Sequence, residues 1–281
     1  MALSEREVTE VARVNESGRQ PVVFVHGLWL LPSSWSPWQE LVEEQGYAAL
    51  AADWPGDPDT VEAARAHPET FAGTSVAMVT EHVAEVAQRL STPPVLIGHS
   101  FGGLVVQQLA GQGLARATVA IDPAPFKGVL PLPLSALRAS SPVLLNPLNY
   151  RSQVMLSEAQ FRYAFTNAVD AAEARRLYDE YAVPCSGIPL FQAATANLNP
   201  RAQTRVDLKH PDRGPLLIVS GEKDHTVPWS LANAAYKKQR RHSDPTEIVE
   251  IEGRGHSLVI DSGWPGVADA ALDFLGRHDA D

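Results

Sequence analysis

The nine residues Leu96-Ile97-Gly98-His99-Ser100-Phe101-Gly102-Gly103-Leu104 constrain the fold more than any other stretch of the chain. An apolar run stops there and a helix-like pattern begins, with one hydroxyl set among three glycines. A serine forced into a sharp strand-to-helix turn takes a strained backbone conformation, and side chains at the flanking positions would collide with the turn or a neighbouring strand. The glycines make room for that strain, and Gly103 lets the helix pack close. The helix N-terminus then aims its partial positive charge at any anion that forms beside Ser100.

Such a turn needs strands and helices in alternation, and the chain has them. Short apolar, β-branched runs recur at residues 22–25 (VVFV), 48–52 (AALAA), 95–97 (VLI), 118–121 (TVAI), 216–219 (LLIV) and 247–251 (EIVEI). Between them lie helical patterns. Val76, Val79, Val83, Val86 and Leu90 form one apolar stripe that Pro93 and Pro94 end, with His82 beside it as a structural or exposed residue. The expectation is an α/β fold with a mostly parallel central sheet and helices on both faces.

The spacing breaks once, where about 95 residues separate TVAI from LLIV, too many for one crossover helix. Residues 126–212 are therefore expected to form a helical cap inserted into a core made of residues 1–125 and 213–281. The insertion opens on a proline-rich stretch, Pro123 to Pro147, that reads as neither regular helix nor central strand. It then turns helical. Ser157 with Gln160 reads as a capping box, Asp170 as the cap of a second helix, and PLFQAATANL as a third.

Composition narrows the function by exclusion. With 281 residues, 44% hydrophobic and 20% charged, the chain is ordinary globular material with ample core. A formal charge of −10 argues against nucleic acid or an anionic membrane surface, and KKQRRH at 237–242 reads as a solvated helix end. A single cysteine, Cys185, excludes an internal disulfide and a thiolate metal cluster. The polar N-terminus lacks a signal-peptide core, and no run of about 18 apolar residues occurs, so a cytoplasmic protein is expected. No metal or cofactor is expected. There is no H-E-x-x-H or phosphate loop, and Asp53, Asp57 and Asp59 read as a solvated turn.

Three further segments give Ser100 partners. The buried run Val22–Val25 ends in His26-Gly27-Leu28-Trp29, placing the Leu28 amide beside the Phe101 amide as two donors for a developing oxyanion; the His26 side chain is read as fixing this loop. LLIV runs into Gly221-Glu222-Lys223-Asp224-His225-Thr226-Val227-Pro228, where Asp224 is the expected acid, with Asp122 at the end of TVAI as its rival. EIVEI leads to Gly253-Arg254-Gly255-His256-Ser257, a loop from which His256 reaches the serine as a general base must.

With the order Ser, Asp, His on the ends of strands of one sheet, residues 20–278 resemble the α/β-hydrolase fold superfamily, specifically its capped serine esterases and lipase-like hydrolases. The motifs that carry the resemblance are His26-Gly27, GHSFGG, GEKDHTVP and GRGHS. Only about 20 residues precede the first strand, room for one hairpin rather than a full set of leading strands. The resemblance implies Ser100 as nucleophile, His256 as base, Asp224 as acid, and hydrolysis of a small to medium apolar ester through an acyl-enzyme. Serine at the elbow, where the superfamily's epoxide- and halide-processing members carry aspartate, leaves acyl chemistry. Lactone opening, thioester hydrolysis, carbon–carbon cleavage, peracid formation and a non-catalytic ligand receptor are the alternatives. Trp29, Phe126, Phe161, Phe165 and Leu258 are the expected substrate-binding residues. The sequence leaves the oligomeric state open.

Overall fold

The computed structural model describes residues 3–278, so the outer ends of the expected core, residues 1–2 and 279–281, lie outside the described residues. Six parallel strands form one sheet: β1 (Pro21–Val25), β2 (Ala48–Ala52), β3 (Val95–His99), β4 (Ala117–Ile121), β7 (Leu216–Gly221) and β8 (Thr246–Ile251), in the order β2-β1-β3-β4-β7-β8. β5 (Gln153–Val154) and β6 (Cys185–Ser186) make a separate antiparallel pair. Every residue of β1 to β4 and β7 is buried. Successive side chains point to opposite faces, so helices must cover both.

Those helices are α1 (Glu5–Ser17), α2 (Ser36–Glu44), α3 (Val61–Ala66), α4 (Val76–Gln88), α5 (Phe101–Ala110), α10 (Trp229–Gln239) and α11 (Trp264–His278). α5 packs on β3 and β4, α10 on β7 and β8, α11 on β4 and β7, and α1 and α2 on β2. The valine stripe of α4 is buried, and Ser75 caps the helix by accepting from the Met78 amide. None of the described helices is long and apolar enough to cross a membrane.

The residues before β1 do not make the expected hairpin. They form α1, whose N-terminus is closed by a Ser4–Glu7 capping box. The reason lies at the sheet edge. Arg6 and Arg13 donate to the Ala51 and Ala49 carbonyls of β2, at 2.9 and 2.5 Å, satisfying acceptors that another strand would otherwise pair. Buried Glu7 accepts from His82 Nε2 at 2.9 and 3.0 Å, which ties α1 to α4 and gives His82 its structural role.

Between β4 and β7 the chain carries α6 (Leu134–Leu144), α7 (Glu158–Ala164), α8 (Ala171–Tyr181) and α9 (Ile188–Thr195). The caps at Ser157 and Asp170 sit where the sequence places them. α6 is a correction, since it lies in the proline-rich stretch and contains Pro142. Pro142 has no N–H for the Arg138 carbonyl one turn earlier, and the Ser141 hydroxyl donates to that carbonyl instead, at 2.8 Å.

Candidate active site

The strand order reverses between β1 and β3, so the carboxyl ends of these two strands open a crevice at the switch point of the sheet. Strain collects at this edge. Among the described residues the non-glycine positions with positive φ are Trp29 (64°), Ser100 (56°) and Asp122 (40°), which follow β1, β3 and β4. Backbone conformations of this kind persist only where the surroundings over-determine them. At Ser100 they do: its amide donates to the Ile121 carbonyl at 2.9 Å, and its carbonyl accepts from Leu104 and Ala124 at 3.1 and 2.8 Å.

The Ser100 hydroxyl donates to His256 Nε2 at 3.0 Å, and His256 Nδ1 donates to Asp224 Oδ2 at 2.6 Å. These groups come from three loops that hold one another. Lys223 N–H donates to the Arg254 carbonyl at 2.7 Å, joining the Asp224 loop to the His256 loop. Arg254 pairs with Asp261, which also accepts from Ser257 Oγ at 2.8 Å. His99 is fully buried and donates from Nε2 to the His256 carbonyl at 2.9 Å; burial holds its pKa far below the usual histidine value, so it is neutral.

Asp224 Oδ1 accepts from the amides of Thr226 and Val227 at 2.6 and 2.9 Å, so three donors converge on this carboxylate with His256. Burial alone would raise its pKa, but the charge and hydrogen bond of His256, with the neighbouring Asp122 and the Val227 amide, hold it below the ordinary value. Asp122 lies farther from the imidazole, with Oδ2 3.8 Å from His256 Nδ1.

The amides of Phe101, next in sequence to Ser100, and of Leu28, next to Gly27, have no acceptor among the described residues. A Cβ added to Gly27 would lie 2.7 Å from the Ser100 Cβ, which shows how closely the first loop crosses the serine. His26 anchors that loop, bridging the Gly27 carbonyl through Nδ1 and the Asp57 carboxylate through Nε2, both at 2.8 Å, and stacking on Trp54. Asp57 is therefore not part of a solvated turn, because its side chain is only 3% exposed and also accepts from the Trp54 amide.

An apolar cavity of about 120 Å³ opens beside Ser100. Trp29 and Phe101 line its inner end, and Ala136, Ser140 and Leu144 of α6 face Leu190 and Ala193 of α9 across it. Leu132 lines it too and is 70% exposed, so the mouth lies there. Phe126, Phe161, Phe165 and Leu258 are not among its lining residues. All four are buried, and Phe165 stands edge-on to the His256 ring at 4.8 Å with Phe161 stacked behind it at 4.7 Å. Phe165, with Phe161 behind it, backs the His256 imidazole, and α6 and α9 give the cavity an aliphatic wall. The three- and four-residue spacing of small and aliphatic side chains on α6 and α9 was the available sequence signal for that wall; Asp57 gave none.

The family model described as "Alpha/beta hydrolase family" matches residues 22–270. Solved structures share the fold at low identity. A monoacylglycerol lipase of Paleococcus ferrophilus is 20% identical over 92% of this chain and 94% of its own, with a TM-score of 0.61. A structure from a study of LipS and LipT, two metagenome-derived lipolytic enzymes, is 17% identical over 92% and 94%, at 0.63. A pyrethroid hydrolase of Sphingobium faniae is 17% identical over 93% and 98%, at 0.61. No curated protein sequence matches the chain. A family match over this length, on six parallel strands whose carboxyl ends gather Ser100, Asp224 and His256, shows that the chain belongs to the alpha/beta hydrolase family.

Proposed function

We propose that the protein is a serine hydrolase that cleaves carboxylic esters of apolar, small to medium substrates through an acyl-enzyme. The observation that carries this reading is the hydrogen-bonded series Ser100–His256–Asp224, with its hydroxyl end on the wall of an apolar cavity. His256 takes the Ser100 proton as the hydroxyl attacks the acyl carbonyl, and Asp224 holds the imidazole's tautomer and stabilises the charge it gains. The Leu28 and Phe101 amides receive the oxyanion, each worth roughly a hundred- to a thousandfold in kcat. His256 then protonates the leaving alcohol, and a water that it activates releases the acid.

Residues 126–212 act as the cap, which supplies the aliphatic wall through α6 and α9 and so selects the substrate's apolar part. The solved structures similar to this chain are named as a lipase, lipolytic enzymes and a pyrethroid hydrolase, which accords with ester cleavage. The test is turnover of short-chain nitrophenyl esters. Continuous release that Ser100→Ala abolishes, with covalent mass gain at Ser100 from a fluorophosphonate, is the expected result. A single unrepeated burst, or none, would favour the ligand-receptor alternative.

A further inference from the structure

The site holds a second fully buried carboxyl that this mechanism does not use. Asp122 follows β4 with a positive φ, a strained position for a side chain with no role. From there it reaches the same imidazole nitrogen that Asp224 occupies. We infer that Asp122 is a positioning residue which stands beside Asp224 as the neutral carboxylic acid, donates its hydroxyl hydrogen to the Asp224 carboxylate, and serves as a reserve acid for His256. This inference rests on the serine-hydrolase reading.

The two carboxyls differ in how many donors reach them. Asp224 accepts from His256 Nδ1 and from the Thr226 and Val227 amides. Asp122 has the Gly221 amide on Oδ1, at 2.8 Å, and no N–H or hydroxyl donor on Oδ2. The ionisable side chains facing Asp122 are Asp224 from the loop after β7, His256 from the loop after β8 and His99 from the end of β3. His99 is neutral and its Nε2–H is spent on the His256 carbonyl, so one imidazole serves two carboxyls. Two adjacent buried carboxylates cannot both stay ionised with so little compensation, and one proton remains. It belongs on the residue with fewer donors. Burial, then the charge of Asp224, push the Asp122 carboxyl well above the usual range, consistent with that placement. The proton on Oδ2 also gives this buried oxygen a hydrogen bond, to Asp224.

Removing the Asp224 charge takes away one of the two causes that keep Asp122 protonated, and the other, burial, is offset once the His256 Nδ1–H turns to it. In Asp224→Asn, Asp122 releases its proton to solvent and its Oδ2, 3.8 Å away, becomes the acceptor for His256 Nδ1–H. Asparagine at the acid position of a serine triad with no second acid lowers kcat about 10⁴-fold. Here Asp224→Asn should lose about a hundredfold and the Asp224→Asn/Asp122→Asn pair about 10⁴-fold; equal losses in the two would overturn the inference.

A second measurement reads the charge directly. Asp122→Asn keeps a donor facing Asp224, so the acidic limb of the kcat/KM profile should move by less than about 0.3 pH unit. Loss of a full negative charge 3.8 Å from the imidazole would move the limb down by more than about one unit, and that result would also overturn the inference. Carbon-13 NMR of aspartate-labelled protein is independent of turnover. One carboxyl carbon should keep the shift of a protonated acid at pH 7 and vanish in Asp122→Asn; if every aspartate is ionised, the inference is wrong. Absent ester turnover in the unaltered protein would count against the hydrolase reading alone, with the NMR result still deciding the state of Asp122.

Discussion

Gly98→Ala tests why the serine is ringed by glycines. An ideal Cβ at residue 98 would sit 2.3 Å from the Gly102 carbonyl oxygen, 2.5 Å from its carbon and 2.9 Å from the Gly103 nitrogen. Comfortable carbon contacts are about 3.5 Å, so the first turn of α5 must retreat by about 1 Å. All three atoms are backbone, and no side-chain rotation relieves the clash. Overpacking of this sort costs about 3 kcal/mol, which for a chain of this size lowers Tm by about 6–12 °C. The retreat carries the Phe101 amide with it, and a displacement of about 1 Å at a reacting centre costs about a hundredfold in kcat/KM. Gly276→Ala in α11 is the control, because nothing lies within 4 Å of its added Cβ. It should stabilise by about 0.5 kcal/mol through helix propensity and leave turnover unchanged. Thermal melts and nitrophenyl ester kinetics on the three proteins decide the matter. A Gly98→Ala protein melting within about 2 °C of the unaltered one, with unaltered kcat/KM, would refute the reasoning.

Asp57→Ala strips the acceptor from His26 and the Trp54 amide; it should cost about 3 kcal/mol by urea denaturation and lower kcat as the Leu28 loop loosens. The aliphatic cavity should reward chain length, with kcat/KM for nitrophenyl esters rising about fourfold per methylene until the cavity is full, and Ala193→Phe should end that rise at a shorter chain. Burial acts to raise the Glu7 carboxyl, but its hydrogen bonds with His82 and the Ser4 and Asp53 amides outweigh that and hold it below the usual value. A carboxyl depressed on folding stabilises the protein above its unfolded pKa, and that stability is lost as pH falls through the folded value. The stability gap between the unaltered protein and Glu7→Gln should therefore be full at pH 7 and shrink in acid; a gap independent of pH would count against the pairing.

What the sequence determined by itself is what short-range physics encodes. Apolar runs that alternate with helical stripes already specify a parallel sheet, since buried strands and amphipathic helices have different periods. The glycines around Ser100 specify the turn, and the strand ends after 25, 99, 221 and 251 fall at one edge because parallel strands share a direction. Pro142 inside α6 was not legible, because the Ser141 hydroxyl that compensates for it is a contact and not a propensity. Nor was α1, whose arginines matter only once the edge of β2 exists.

The tertiary structure alone decided which groups meet across long separations. Asp57 finds His26 from 31 residues away, and Phe165 turns toward His256 rather than the cavity. Asp224 gathers two backbone amides and Asp122 one, and those amides belong to backbone that the sequence does not position. Periodicity records which side of an element is buried; what is buried against it depends on packing in three dimensions.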